Sequence, residues 1–271
     1  MNSCAQGPKG WLASSAQPDR FSPFGDAGAA MYDNDASRMP ERYKHAHTIQ
    51  NEIIIRALSC HLGDKHKVVI DLGAGTANDG LDILAKAPRA FYVGLDNSPP
   101  MIRRAREKME RAGFAERSMF LERSFLTTSA HDVVRTIQDE CIDGEMAIVM
   151  SALALHHDEL EEKHSAYVLA HDLLQSGGLF LLTDLFSNHI PCCACHAFER
   201  ELKDVRDVVR VSRRTSAITG VATTFSVNHY KHVNKPQQLA SEISLIEKCG
   251  FARPDLVYRH GQLAVVVAER K

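Results

Sequence analysis

The sequence has almost no net charge: 32 Lys and Arg against 34 Asp and Glu leave a formal charge of −2. Such a balance gives no general attraction for a polyanion, so nucleic acid is unsupported as a partner, although a local basic patch would leave RNA open. A long apolar run is also missing. The longest, Ala147 to Leu155, is interrupted by Ser151 and is far shorter than the roughly 20 residues a membrane span needs. No membrane segment is expected. The seven cysteines are an odd number, and the four outside residues 192–195 are scattered through apparently regular segments. They read as reduced thiols of a cytoplasmic protein, not as a disulfide framework. Residues 1–28 lack an apolar h-region and hold only two basic residues. That argues against a secretory signal and predicts a flexible N-terminal arm, with an organelle transit peptide as the alternative.

What remains is a chain with 44% apolar residues, enough to fill the core of one large α/β domain, here assigned to residues 29–271. The spacing of Ile49, Ile53, Ala57 and Cys60 predicts an amphipathic helix from about 43 to 62, ended by Gly63. A strand at 67–71, a glycine turn and a helix at 77–87 follow, then a strand at 91–96. Ser98 offers an N-cap oxygen and Pro99 suits a first helical turn, while Gly113 stops that helix. Strands at 118–121, 146–151 and 179–184 alternate with helices, one of them at 129–140 and another ending in the turn Gln175-Ser176-Gly177-Gly178. This alternation predicts parallel βαβ units with right-handed crossovers. Residues 187–228 break the rhythm and read as a lid-like insertion. A helix at 236–249 restores it, and two strands at 251–259 and 262–268 are joined so tightly at Gly261 that they must pair antiparallel. The fold class expected is α/β and Rossmann-like: a seven-stranded sheet, mostly parallel with a C-terminal antiparallel hairpin, and helices on both faces.

The chemistry begins at Asp71-Leu72-Gly73-Ala74-Gly75-Thr76-Ala77-Asn78-Asp79. Glycines after a first strand let a ligand approach the backbone, and the next helix offers unpaired N–H groups. A dinucleotide fingerprint would need a third glycine where Asn78 stands. Asp79 and Asp82 in the first turns of the helix would repel a pyrophosphate and tolerate a cation. Both facts count against NAD and FAD.

Several segments in order resemble the class I S-adenosylmethionine-dependent methyltransferases. Asp71 to Thr76 is similar to that family's D-x-G-x-G-T motif, and Asp96 closes the second strand 21 residues after Gly75. Ala152-Leu153-Ala154-Leu155-His156-His157 resembles the leucine-histidine-histidine segment after strand four. Leu173 to Gly178 resembles the L-x-P-G-G turn, with Ser176 where proline is usual, and Cys249-Gly250-Phe251 with the closing hairpin matches the family's ending. The resemblance covers residues 43–186 and 229–271. It implies S-adenosylmethionine as cofactor, with Asp96 accepting hydrogen bonds from the ribose hydroxyls, Gly73, Gly75 and Thr76 flooring the methionine part, and Asp71 favouring its ammonium. Asn97 and Met101 would border the adenine, and Ser151 joins the same candidate set. After strand three the family often has an acid that reads the adenine amino group. This chain offers Glu122-Arg123-Ser124-Phe125, so Ser124, or Glu122 in a shifted register, would take that place.

A sulfonium activates its own methyl group, so the protein chiefly aligns an acceptor and excludes water. A base is needed where the acceptor carries a proton. His156 and His157, at the sheet edge where open α/β folds bind ligands, are candidates for it, and Asp184 ends strand five at the same edge. Either histidine alternatively packs below the pocket or starts the next helix. His157, His164 and His171 recur every seven residues, too far apart for shared metal ligation, and read as a solvated or interface face. Tyr32, Arg38 and Tyr43 resemble the arm that closes over the cofactor in small-molecule and transfer-RNA branches of the family. His189, Cys192, Cys193, Cys195 and His196 lack a second ligand pair for zinc, so no metal is assigned. Lys203, Arg206, Arg210, Arg213 and Arg214 form a basic flank that Asp204 and Asp207 offset. The function expected is methyl transfer to oxygen or nitrogen of a small-molecule acceptor. The alternatives are a carboxy-S-adenosylmethionine or transfer-RNA wobble-uridine type enzyme of the same fold, and a non-catalytic cofactor-binding or metal-binding module.

Overall fold

The computed structural model describes residues 39–60, 66–140, 144–187 and 235–271, together with Ala29 and Ile142. Along these the order is α1 (Glu41–Cys60), β1 (His66–Leu72), α2 (Asn78–Lys86), β2 (Ala90–Asp96), α3 (Pro99–Arg111), β3 (Ser118–Glu122) and α4 (Ala130–Asp139). Then come β4 (Gly144–Ala152), α5 (Leu160–Leu173), β5 (Leu179–Leu185), α6 (Leu239–Lys248), β6 (Phe251–His260) and β7 (Leu263–Arg270). The seven strands form one sheet in the order β3-β2-β1-β4-β5-β7-β6. The first five are parallel, and β7 runs antiparallel to both β5 and β6. The expected Rossmann-like class is what the chain adopts. The predicted arm at 1–28 and all but Ser187 of the insertion at 187–228, with the cysteine cluster, the basic flank, Tyr32 and Arg38, lie outside the described residues.

Local chemistry explains the ends of several elements. The Ser98 hydroxyl accepts from the Met101 N–H at 3.4 Å at the start of α3, and the Ser129 hydroxyl accepts from Asp132 N–H at 3.1 Å at the start of α4. Each satisfies a donor that the first helical turn leaves unpaired. Before α5, Glu159 and Glu162 form a reciprocal capping box.

Strand alternation sends side chains to two cores. One face packs Val68, Ile70 and Leu72 of β1 against Val133 and Ile137 of α4, Tyr167 and Leu173 of α5, and Ile246 of α6. The other packs Val69, Tyr92 and Met150 against Ile54 of α1, Ile83 and Leu84 of α2, and Ile102 and Met109 of α3. Helices therefore cover both faces.

Helix α1 departs from its expected apolar stripe. Its fully buried row is Ala46, Gln50 and Ile54, offset by one position from Ile49 and Ile53. Gln50 is polar, so a pattern built on apolar residues steps past the buried position. The histidine row also differs from expectation. His157 belongs to a separate 3-10 turn, Leu155–His157, and of the three only His164 is exposed. His171 packs edge-on against Phe251 with ring centroids 5.3 Å apart. Among the described residues, no helix is long and apolar enough to cross a membrane.

Candidate functional site

The carboxyl ends of β1 and β2 build the first half of the site. Gly73 and Gly75 both adopt positive φ, +82° and +52°, a region that favours glycine. At Gly73 an added Cβ would sit 2.5 Å from Ala154 Cβ, whereas nothing lies within 4 Å of one at Gly75. The turn is pinned from beneath: Gly73 and Ala74 N–H groups donate to the Leu95 carbonyl at 2.9 and 3.0 Å. Asp96 grips it from the side, its Oδ2 accepting from Gly75 N–H and its Oδ1 from Ser98 N–H, both at 2.8 Å. Burial raises the Asp96 pKa, and the backbone N–H groups of Ser98, Gly75 and Asn97 oppose that rise. Each carboxylate oxygen keeps a lone pair beyond these bonds, so it can accept another donor.

Asp71 lies deeper, 3% exposed. The Tyr92 hydroxyl donates to its Oδ2 at 2.6 Å, while its Oδ1 is buried with no partner. Burial is the chief cause that pushes this carboxyl up to about 7; the Tyr92 bond opposes it and the charges of Asp79 and Asp96 add to it. A cavity of about 370 Å³ opens beside it, lined by Asp71, Gly73 and Ala74, by Ala152 of β4, by Asn78, Asp79 and Asp82 of α2, and by Lys44, His47 and Asn51 of α1.

The acidic start of α2 is answered from α1. His47 Nδ1 lies 2.9 Å from Asp79 Oδ2, and the Asn51 amide donates to Asp79 Oδ1 at 2.9 Å. Burial alone would raise the Asp79 pKa, but His47 and these bonds outweigh it and hold it low. The same contact raises His47, against a desolvation that lowers it. The sequence offered no sign of this clasp, because its partners stand 32 and 28 residues apart. Nor did it mark Tyr92, or Lys108, whose ammonium donates to Thr76 Oγ1 at 3.0 Å and to Asn78 Oδ1 at 2.5 Å.

The ends of β4 and β5 build the second half. His156 Nδ1 meets Asp184 Oδ1 at 2.5 Å, with side chains only 5% and 3% exposed. Burial would raise the Asp184 pKa; His156, the Leu185 N–H and Lys163 outweigh it and hold the carboxylate low. With Asp184 as the acceptor, Nδ1 is the ring nitrogen that donates. The turn that carries His156 crosses the end of the sheet: Leu153, held at φ +54°, packs with Ala46 and Leu185 on the α1 side, while Leu155 is buried on the other face. The His157 ring lies 3.9 Å from that of His156. The backbone N–H of Lys235 donates to the His156 carbonyl at 2.6 Å.

The remaining predicted residues divide. Thr76 is buried under Lys108, Asn97 is exposed at the rim and Met101 is buried. The Ser151 hydroxyl donates to the Leu72 carbonyl at 2.8 Å, which ties β4 to β1. Ser124 Oγ accepts from Leu126 N–H at 3.2 Å within its own turn, and Glu122 is exposed. Tyr43 packs beside Leu185 and Val265, with Arg42 over its ring. Two further buried groups went unnoticed in the sequence, Gln50 and Thr183, both with polar atoms that find no partner.

A family model described as "Methyltransferase domain" matches residues 63–236. The chain belongs to the methyltransferase domain family. Its fold is the class I fold, it is an enzyme, and S-adenosylmethionine is its cofactor. A curated relative, the carboxy-S-adenosyl-L-methionine synthase of Nautilia profundicola, is 21% identical over 90% of this chain and 93% of its own. Among solved structures, a magnesium protoporphyrin IX methyltransferase from Synechocystis PCC 6803 with bound S-adenosylmethionine is 13% identical, with a TM-score of 0.55, over 95% of this chain and 100% of its own. An O-methyltransferase family protein from Burkholderia thailandensis is 18% identical, with a TM-score of 0.52, over 92% of this chain. This methyltransferase covers 64% of that longer protein, less than two thirds of its length.

The residues present suit the cofactor. Gly75 leaves an open floor that a side chain would fill, Asp96 has lone pairs to spare, and the buried Asp71 oxygen lacks a donor. A ligand that carries a diol, an ammonium and a sulfonium answers each of these.

Proposed function

We propose that this methyltransferase acts on an oxygen or nitrogen of a small-molecule acceptor, with His156 as general base and Asp184 as the group that orients it. The observation that carries this reading is the buried His156–Asp184 contact at the carboxyl edge of the sheet. Bound S-adenosylmethionine supplies a methyl group already activated by its sulfonium. Asp96 would hold the ribose hydroxyls, Gly73, Gly75 and Thr76 would floor the methionine part, and Asp71 would face its ammonium. Asn97 and Met101 would border the adenine. His156 Nε2 would take the proton that an attacking hydroxyl or amine must lose, while Asp184 stabilises the imidazolium through Nδ1–H. His157, whose ring is tilted against that of His156, would flank that base.

A carboxy-S-adenosylmethionine reading is favoured by the curated relative. It asks for a cation to hold an added carboxylate. Of the two cavity lysines, Lys86 is 2.7 Å from Asp82 and Lys44 is 3.6 Å from Glu41, so the described wall favours methyl transfer.

The test is titration calorimetry with S-adenosylmethionine, followed by assay of S-adenosylhomocysteine formation against hydroxyl and amine acceptors. Asp96→Ala is expected to weaken cofactor binding about 100-fold, since it removes charge-assisted bonds worth roughly 1.5–3 kcal/mol each. Unchanged affinity in that variant, or carboxylated cofactor co-purifying with the protein by mass spectrometry, would sink the reading.

A further inference from the structure

The glycine turn is strained at the residue where it enters α2. Positive φ recurs there at alternate positions, Gly73, Gly75 and Ala77. Glycine takes that region freely, but Ala77, at φ 58° and ψ 40°, sits in the left-handed helical well, where a Cβ crowds the carbonyl that follows. Ala77 is also the N-cap of α2 and offers the first turn no side-chain oxygen. Such a conformation persists only where the surroundings over-determine it. Within the turn, Ala77 N–H donates to the Ala74 carbonyl at 2.8 Å. From outside, the two residues that flank Ala77 are tied to one group: Thr76 Oγ1 and Asn78 Oδ1 both accept from the Lys108 ammonium, at 3.0 and 2.5 Å. Lys108 stands in the last turn of α3, 30 residues beyond Asn78. A single cation therefore braces the strained residue from both sides.

We propose that Lys108 is a positioning residue for the cofactor: by bracketing Ala77 it holds the Gly73–Gly75 turn in its binding shape, acting through the turn and not on the ligand. The inference rests on the placement of the cofactor over that turn. Gly75, two residues before Ala77, donates its N–H to Asp96 Oδ2 at 2.8 Å, and Asp96 is the carboxylate assigned to the ribose. Asp96 and the Leu95 carbonyl fix the turn from the β2 side. Lys108 fixes the side that enters α2. Released from Lys108, Ala77 relaxes toward the regions that L-residues prefer, and the turn keeps its binding shape for only a fraction of the time. The apparent Kd then rises by the inverse of that fraction. The charge of Lys108 has a direct effect of the opposite sign. S-adenosylmethionine carries a net positive charge, so loss of a nearby cation by itself favours its binding. Weakened binding without Lys108 thus reports the turn.

Isothermal titration of S-adenosylmethionine and S-adenosylhomocysteine into the unmodified enzyme, Lys108→Met, Ala77→Gly and the double variant tests this. Lys108→Met is expected to raise both Kd values by the same factor, about tenfold, which strain of this kind can withhold. Ala77→Gly alone is expected to stay within about twofold, because glycine holds the same φ without a brace. Added to Lys108→Met, it is expected to return both Kd values to within about threefold of the unmodified enzyme. A merely structural lysine would lower Tm and leave both affinities alone. Should Lys108→Met fail to fold, Asn78→Ala decides: it removes one arm of the bracket, and a rise of about threefold with the same rescue by Ala77→Gly is expected. Unchanged affinity in Lys108→Met, a factor that differs between the two ligands by more than about threefold, or a loss that Ala77→Gly does not recover overturns the proposal. Asp96→Ala separates this from failure of the placement. If Asp96→Ala weakens binding and Lys108→Met does not, only the role of the lysine falls; if neither does, the placement of the cofactor falls.

Discussion

His156 Nδ1 and Asp184 Oδ1, contributed by segments 28 residues apart, lie 2.5 Å from each other in a nearly solvent-free position. The pair joins the ends of β4 and β5, so one contact both closes the sheet edge and sets which imidazole nitrogen faces Asp184. His156→Gln is expected to keep cofactor affinity within about threefold while lowering kcat by about 100-fold to 10,000-fold. His156→Ala leaves a buried carboxylate alone and is expected to cost about 3–5 kcal/mol of stability. Calorimetry and denaturant unfolding separate the two effects. The Asp184 carboxyl is held below its ordinary value, so its contribution to stability is present above the unfolded pKa and is lost as pH falls through the folded one.

Gly73 and Ala154 make a second cross-chain pair. Gly73→Ala would place a Cβ 2.5 Å from Ala154 Cβ and force alanine to φ +82°. Loss of about 2–4 kcal/mol is expected, combining overpacking with backbone strain. Ala154→Gly added to it relieves only the collision. Recovery of about half of the lost Tm in the double variant checks the split; full recovery would show that the strain is negligible.

Lys163 and Glu242 form a buried ion pair between α5 and α6, and the Tyr167 hydroxyl donates to the second oxygen of Glu242 at 2.6 Å. Lys163→Met strands a buried carboxylate and is expected to destabilise by about 3–5 kcal/mol. Lys163→Met with Glu242→Gln removes both charges while the amide oxygen still accepts from Tyr167. Most of the loss should return. Urea unfolding of the single and double variants measures it, and strictly additive losses would show that the two charges do not interact.

Gln50 faces the sheet between Ala46 and Ile54 with neither amide atom partnered. Gln50→Leu has nearly the same volume and removes that unsatisfied amide, so a gain of about 1–3 kcal/mol is expected in the ligand-free enzyme. Thermal unfolding reads the change. A fall in Tm would mean that the amide is satisfied in solution, by water or by residues outside those described.

Local pattern carried the element order. Ser98 with Pro99, and the β-run before Asp71, announce themselves within a few residues, because capping and side-chain alternation act at short range. The positions of Asp96 at the end of β2 and of His156 after β4 were readable for the same reason, as strand ends are. Contacts that join distant elements were not. His47 with Asp79, Tyr92 with Asp71 and Gly73 with Ala154 carry no local signal, since either member alone is an ordinary helix, strand or loop residue. Gln50 misled the helical pattern outright, because burial depends on what packs opposite and polarity does not reveal it.

The chain's own pattern of apolar periods, glycines and caps was therefore sufficient for a mostly parallel α/β sheet with an acid at each of two strand ends. Which of those acids would be buried with one oxygen unpartnered was settled only by packing. Charge pairing acts through space at a few ångströms, and the fold alone brings α1 over α2 and leaves Asp71 facing the cavity.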